Sequence, residues 1–303
     1  MTARSAALAQ ARAWLGVDAT GRPRCTDVRS AVVAIDDLLR EEDAGAVQEL
    51  LGAGFLRRSD QRYHDILSSR MRPLPGGGFL MGTPAVEARH FCGESPRHPV
   101  ELSAFSISDT VVTNELFQLF DPRLRDVDIA DRRKPVVGVT WFVAVLFAAW
   151  MGCRLPTEAE WEYACAGGSA GEWCCASEAD LRRHAWYSAN SDGVVHEVAG
   201  REPNALGLFD CHGNVWEWCL DSYDQDYYSR ARLHDPVNVD SADRQPGSAF
   251  PEKVCRGGSV SSLAEMCRTR YRLHEAADFY AADLGFRLVR SAGTSDLGGA
   301  HED

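Results

Sequence analysis

Asp210, Asn214 and Glu217 lie close together in the stretch 204–221, NALGLFDCHGNVWEWCLD. Gly207 and Gly213 let the backbone turn there, so that carbonyl oxygens can face a common point. Acids and carbonyls in such a set suit a hard cation such as calcium, which takes roughly six to eight oxygen ligands. The alternative is a turn packed on Trp216 and Trp218 whose acids are simply solvated.

Sulfur is the second source of chemistry. The chain has ten cysteines: Cys25, Cys92, Cys153, Cys165, Cys174, Cys175, Cys211, Cys219, Cys255 and Cys267. An even count in a secreted chain would suggest disulfides, whereas in a reducing compartment most would be buried as small hydrophobes. No CxxC pair or zinc-knuckle spacing occurs, which argues against structural zinc. His90 and His98 with Glu94 and Glu101 hint at a metal, but His98 reads better as the start of a strand. His274 follows Cys267 closely enough for a mixed Cys/His site, with a hydrogen-bonded surface histidine as the plainer reading.

The elements that must position these groups are legible in part. Residues 71–83, MRPLPGGGFLMGT, read as an opening strand with Phe79 and Met81 turned inward. A short helix starts near Thr113 or Asn114. A further helix covers 140–151. Thr157 and Glu160 form a capping box that opens a scaffold helix through Trp161 and Tyr163 to Gly167. Residues 1–70 carry helical periodicity, with Val28, Val32, Ile35 and Leu39 on one face. They read as a helical extension too small for a large core of its own. Residues 292–303 read as a flexible tail.

The totals exclude some partners. The net charge of −12 argues against nucleic acid and anionic membrane, both of which need a basic footprint. No apolar run reaches a membrane span, and the N-terminus makes a poor signal peptide. The expected setting is cytoplasmic.

GLFD-x2-GNVWEW, RGGS (256–259) and LGFRLVR (284–290), with PGGGFLMGT, RHPVELSAFSIS and RLPTEAEWEYACAGG upstream, resemble the formylglycine-generating enzyme (sulfatase-modifying factor) superfamily over 71–291. The resemblance implies an α+β fold, a modified C-type lectin-like fold of low regular secondary structure. It implies two calcium sites. One uses the side chains of Asp210 and Glu217 and the carbonyls of Gly213 and Val215. The other uses Asn190 and the carbonyl of Ser191, with Asp192 as a substitute for a shortened acidic loop. It also implies one Cu(I) between two cysteines in RGGS-x2-Cys-x4-Cys, thiolates being soft ligands for a soft ion. Cys267 matches the second cysteine, and Ser262 stands at the first. Ser259 matches a substrate-site serine and Trp216 an active-site tryptophan, while Asp283 replaces the usual asparagine before LGFR. Cys255 could supply a replacement sulfur, but reads more simply as a buried strand residue. The three-histidine iron branch of the superfamily is disfavoured, since no HxxxHxE element occurs.

Three functions are compatible with that resemblance. The first is a divergent metal-dependent oxidoreductase, using Cys267 and copper or another transition metal on a peptide or a small thiol or amino-acid substrate. The second is a non-catalytic peptide- or ligand-binding or scaffold domain. The third is true formylglycine generation on a sulfatase cysteine.

Overall fold

The computed structural model describes residues 67–84, 93–118, 131–239 except Gly152, and 251–291 except Asp278. The N-terminal extension lies outside these, apart from a helical turn at 67–70, and so does the tail at 292–303. The fold is mixed α and β with little regular structure, as expected.

The stretch 71–83 is two strands rather than one: β1 (Met71–Leu74) and β2 (Gly77–Met81). Pro75 and Gly76 divide it. Gly76 has φ 72°, and a Cβ there would lie 2.2 Å from the Leu102 carbonyl oxygen, so the chain breaks direction at the one residue that fits. β2 pairs antiparallel with β3 (His98–Leu102). β1 instead pairs with β4 (Phe105–Ser108), which also takes the last strand, β9 (Val289–Ser291). Both ends of the domain therefore share one sheet.

Local capping sets where most of the helices begin. α1 (Asn114–Phe117) is capped by Thr113, whose hydroxyl accepts the Leu116 N–H at 3.3 Å. α2 (Trp141–Trp150) is almost wholly apolar, which marks a helix inside a core rather than on a surface. Its Phe147 meets Phe117 and Phe286 at 5.1 and 5.6 Å between ring centroids. Its Trp141 Nε1 donates to the Cys219 carbonyl at 2.8 Å. α3 (Glu158–Ala166) opens on the expected capping box, with Thr157 and Glu160 each satisfying the other's backbone N–H at 3.2 and 2.8 Å. α4 (Glu178–His184) is capped by Ser177.

The central sheet runs β7–β6–β5–β8, made of β5 (Trp216–Ser222), β6 (Glu252–Arg256), β7 (Leu273–Ala276) and β8 (Leu284–Gly285). Every residue of β6 is buried, including Glu252, Lys253 and Arg256. Buried charges need partners, because an isolated ion loses its hydration without return. α3 supplies them. Glu158 accepts Arg272 Nε and Nη2 at 2.6 and 2.9 Å, Arg256 Nη1 at 3.1 Å and the Tyr228 hydroxyl at 3.0 Å. Glu162 takes Arg256 Nη2. The helix that reads as scaffold thus grips Arg256, the residue immediately before Gly257, Gly258 and Ser259.

Candidate functional site

Beyond Arg256 the chain turns on two glycines with φ 101° and 77°. A Cβ on Gly258 would fall 2.6 Å from the Cys267 Sγ. Glycine therefore lets the 257–262 loop lie directly on Cys267. That loop carries Ser259 and Ser262, both buried.

The hydroxyls form a chain with a fixed direction. Ser259 Oγ lies 2.6 Å from Asp283 Oδ2. A carboxylate only accepts, so the Ser259 proton points to Asp283. Ser259 Oγ also lies 3.3 Å from Ser262 Oγ. With its own proton committed, Ser259 accepts there and Ser262 donates. Ser262 Oγ in turn accepts the Ser259 N–H at 2.9 Å, and Ser259 Oγ accepts the Ser261 N–H at 3.2 Å. The Trp216 N–H donates to the Asp283 carbonyl at 2.8 Å, and the Trp216 and Tyr271 rings lie 5.9 Å apart. Ser259, Ser262, Trp216 and Asp283 are thus brought together.

Cys267 sits behind them in a small core with Trp173, Leu181, Tyr187 and Ala264. Burial alone pushes its thiol up to about 12. A thiol in that state is protonated at neutral pH and a weak nucleophile. Cys255 belongs to a different core, with Trp218 and Phe286, so the two sulfurs do not converge. His274 also lies apart, on β7, stacked on Tyr223 at 3.8 Å and facing Glu252 at 2.8 Å.

His212 is the residue that sequence reasoning missed. It is buried, and its Nδ1 lies 2.7 Å from the Cys267 carbonyl oxygen while its Nε2 accepts the Cys174 N–H at 3.0 Å. Nδ1 therefore carries the proton and the ring is neutral. Burial holds its pKa down to about 4. The ring ties the backbone at Cys174 to the Cys267 turn. Only its place within the acidic loop could have signalled this.

The acidic loop is held from outside and inside. Gly213 has φ 78°, and a Cβ there would lie 2.0 Å from the Trp186 carbonyl oxygen. Asp210 and Asn214 share the left-handed region, with φ 57° and 62°. Glu217 is fully buried, and Arg287 forks it with Nε and Nη2, each at 2.6 Å. Trp161 Nε1 also donates to Glu217, at 2.9 Å. Asp210 has less. Its Oδ2 accepts the Ala199 N–H at 2.8 Å. Burial raises its pKa to about 6, against the pull of that N–H and of Arg287, and nearby Glu217 adds to the rise. Two buried carboxylates here share one described guanidinium. Glu217 takes that guanidinium, so Asp210 is the carboxylate whose charge a dication would relieve.

Among the described residues no three His, Cys, Asp or Glu side chains gather as a metal site, so a cation here would depend on the Gly213 and Val215 carbonyls. The second set is arranged otherwise. Asn190 accepts the Tyr187 N–H and donates to the Ala185 carbonyl, both at 2.9 Å. His196 Nε2 meets the Ser191 carbonyl at 2.9 Å while its ring stacks on Trp186 at 3.7 Å. Those oxygens are already occupied by the protein.

Residues 65–292 match the family model for the sulfatase-modifying factor enzyme 1-like domain. The chain belongs to that family. It is 30% identical over 286 residues to the formylglycine-generating enzyme of Streptomyces coelicolor, covering 72% of this chain and 88% of that one. It is 31% identical over 300 residues to the serine/threonine-protein kinase pkn1 of Chlamydia pneumoniae, covering 85% of this chain. There the chain spans less than half of the relative, 46%. Among solved structures, PvdO from Pseudomonas aeruginosa superposes with a TM-score of 0.61 at 26% identity, covering 73% of this chain and 94% of that one. No described helix is long and apolar enough to cross a membrane.

Proposed function

We propose that this domain recognises a peptide or small ligand at the Ser259–Ser262–Asp283 site and does not carry out copper-dependent oxidation. Known family members bind calcium and copper. The observation that carries our reading is the directed hydroxyl chain. Ser262, at the first copper position, is a neutral hydroxyl committed to Ser259 on both sides. Cys267, at the second, has no thiol opposite it at the first, and Cys255 lies in a different core. Cu(I) favours soft thiolates, and these two groups do not fit it. The oxidoreductase and formylglycine readings both require a redox metal at this place.

We place calcium at Asp210, Glu217 and the carbonyls of Gly213 and Val215, where it would offset the charge of Asp210 and brace the loop that leads into β5. Arg287 and Trp161 already hold the Glu217 oxygens and the Val215 N–H the Gly213 carbonyl, so the ion would use their remaining lone pairs. Asn190 and Ser191 are the poorer set, because they bring no carboxylate and Tyr187 and His196 already lie against their oxygens. The copper part of the proposal is tested by loading the purified chain with Cu(I) and offering a Cys-x-Pro-x-Arg peptide. Metal analysis and mass spectrometry report copper stoichiometry and aldehyde; either result in stoichiometric yield removes the proposal.

A further inference from the structure

We infer that the Ser259–Ser262–Asp283 site binds a primary ammonium group, carried on a lysine side chain or on a free peptide N-terminus. This rests on the proposed recognition function. Asp283 is only half buried, and one of its oxygens accepts Ser259. No described cation pairs with it. Several buried carboxylates of the domain are paired: Glu217 by Arg287, Glu158 by Arg256 and Arg272, and Glu94 by Arg268. Arg268 follows Cys267 directly, yet its fork is closed on Glu94 at 2.7 and 2.9 Å.

The hydroxyl protons of the site both run toward Asp283, so a ligand meets an acceptor and has to bring donors. An ammonium is all donor. A guanidinium prefers a fork on both carboxylate oxygens, and Ser259 already holds one of them. The single remaining oxygen suits the compact cation. An anionic ligand would meet a carboxylate with no counter-charge.

The surroundings add an apolar requirement. Phe279 and Tyr280 are 40% and 66% exposed on the segment that leads to Asp283, and Leu263, next to Ser262, is 58% exposed. The hydrogen bond between Ser259 and Asp283 joins these two segments. Trp216 is tied to Asp283 through its backbone N–H, and its ring lies 5.9 Å from that of Tyr271; aromatic faces attract cations as well as apolar groups. The ligand is thus an ammonium with an apolar neighbour.

Saturation-transfer NMR on the full chain tests this without oxygen or copper. The first probes are 2-phenylethylammonium and its neutral counterpart 2-phenylethanol. The expected result is binding of the ammonium at least about tenfold tighter than the alcohol, and a similar loss in Asp283→Asn, which keeps an acceptor for Ser259. Phenylalanine amide with and without N-acetylation, and N-acetyl-lysyl-phenylalanine amide against its norleucine analogue, separate the two sources of the ammonium. Equal affinity for alcohol and ammonium, unchanged affinity in Asp283→Asn, or no ammonium binding at millimolar concentration each overturns the inference. The alcohol comparison needs no variant, so it holds even where Asp283→Asn folds poorly. Aldehyde formation would sink the functional reading and leave this binding result standing, so the two fail separately.

Discussion

Glu158→Gln removes one charge from the point where α3 grips the strand that carries the site. In the structure that carboxylate takes four donors, two from Arg272, one from Arg256 and one from Tyr228. The amide keeps the shape but turns an N–H₂ toward guanidinium groups and leaves two buried arginines under-compensated. Breaking a buried pair in this way costs about 3–5 kcal/mol. For a domain of roughly this size each kcal/mol lowers the melting temperature by about 2–4 °C, so the drop is on the order of 10 °C. Burial pushes the Glu158 carboxyl up, but Arg272 and Arg256 outweigh it and hold the carboxyl below its ordinary value of 4.5. A depressed carboxyl stabilises the fold above its unfolded pKa, and that stability is lost as pH falls through the folded pKa. The gap between wild type and variant should be full at neutral pH and shrink below pH 4.5. Thermal and urea melts at several pH values measure it. Glu202→Gln is the control, because its pair with Arg183 is exposed and worth about 0–1 kcal/mol. If Glu158→Gln costs no more than that control, the buried network is not what holds β6.

Millimolar calcium should raise the melting temperature, by about 2.7 kcal/mol of stability when the ion is at roughly 100 times its Kd. Asp210→Asn should abolish the response, and identical melts in calcium and chelator would remove the ion from the account. Cys267 should resist iodoacetamide in the folded chain at pH 8, since burial holds it at about 12 and only the thiolate reacts. Mass mapping that finds it labelled as fast as in urea would contradict this. Gly258→Ala should cost about 1–3 kcal/mol, because its φ of 77° is strained for a side chain and the new methyl meets Cys267. Denaturant melts within about 0.5 kcal/mol of wild type would show that the loop does not need glycine there.

The capping box at Thr157 and the cap at Thr113 were readable because each is a local pattern, complete within one helical turn. The apolar run of α2 was readable for the same reason. The family likeness singled out Ser259 and Trp216, which no local rule could do, since they come from separate segments, and it marked Asp283 only as a departure from the usual asparagine. What sequence did not reveal was direction. The order of the hydroxyl protons, from Ser262 through Ser259 to Asp283, can be inferred only once Ser259 is found against the carboxylate. The break at Gly76 was also hidden, because it depends on the Leu102 carbonyl, distant along the chain. His212 escaped notice because a buried histidine and a surface one look alike in sequence. The contact of His196 with the Ser191 carbonyl was hidden too, because nothing local pairs those residues.

The most direct measurement is copper stoichiometry on the reduced, Cu(I)-loaded chain, read alongside mass spectrometry of a Cys-x-Pro-x-Arg peptide incubated with it in air. The hydroxyl of Ser262 in place of a thiol, with Cys267 as the one sulfur at the two copper positions and Cys255 in a different core, predicts no tightly held ion and an unmodified peptide. One copper per chain that disappears in Cys267→Ser, together with an aldehyde on the peptide cysteine, would contradict the account.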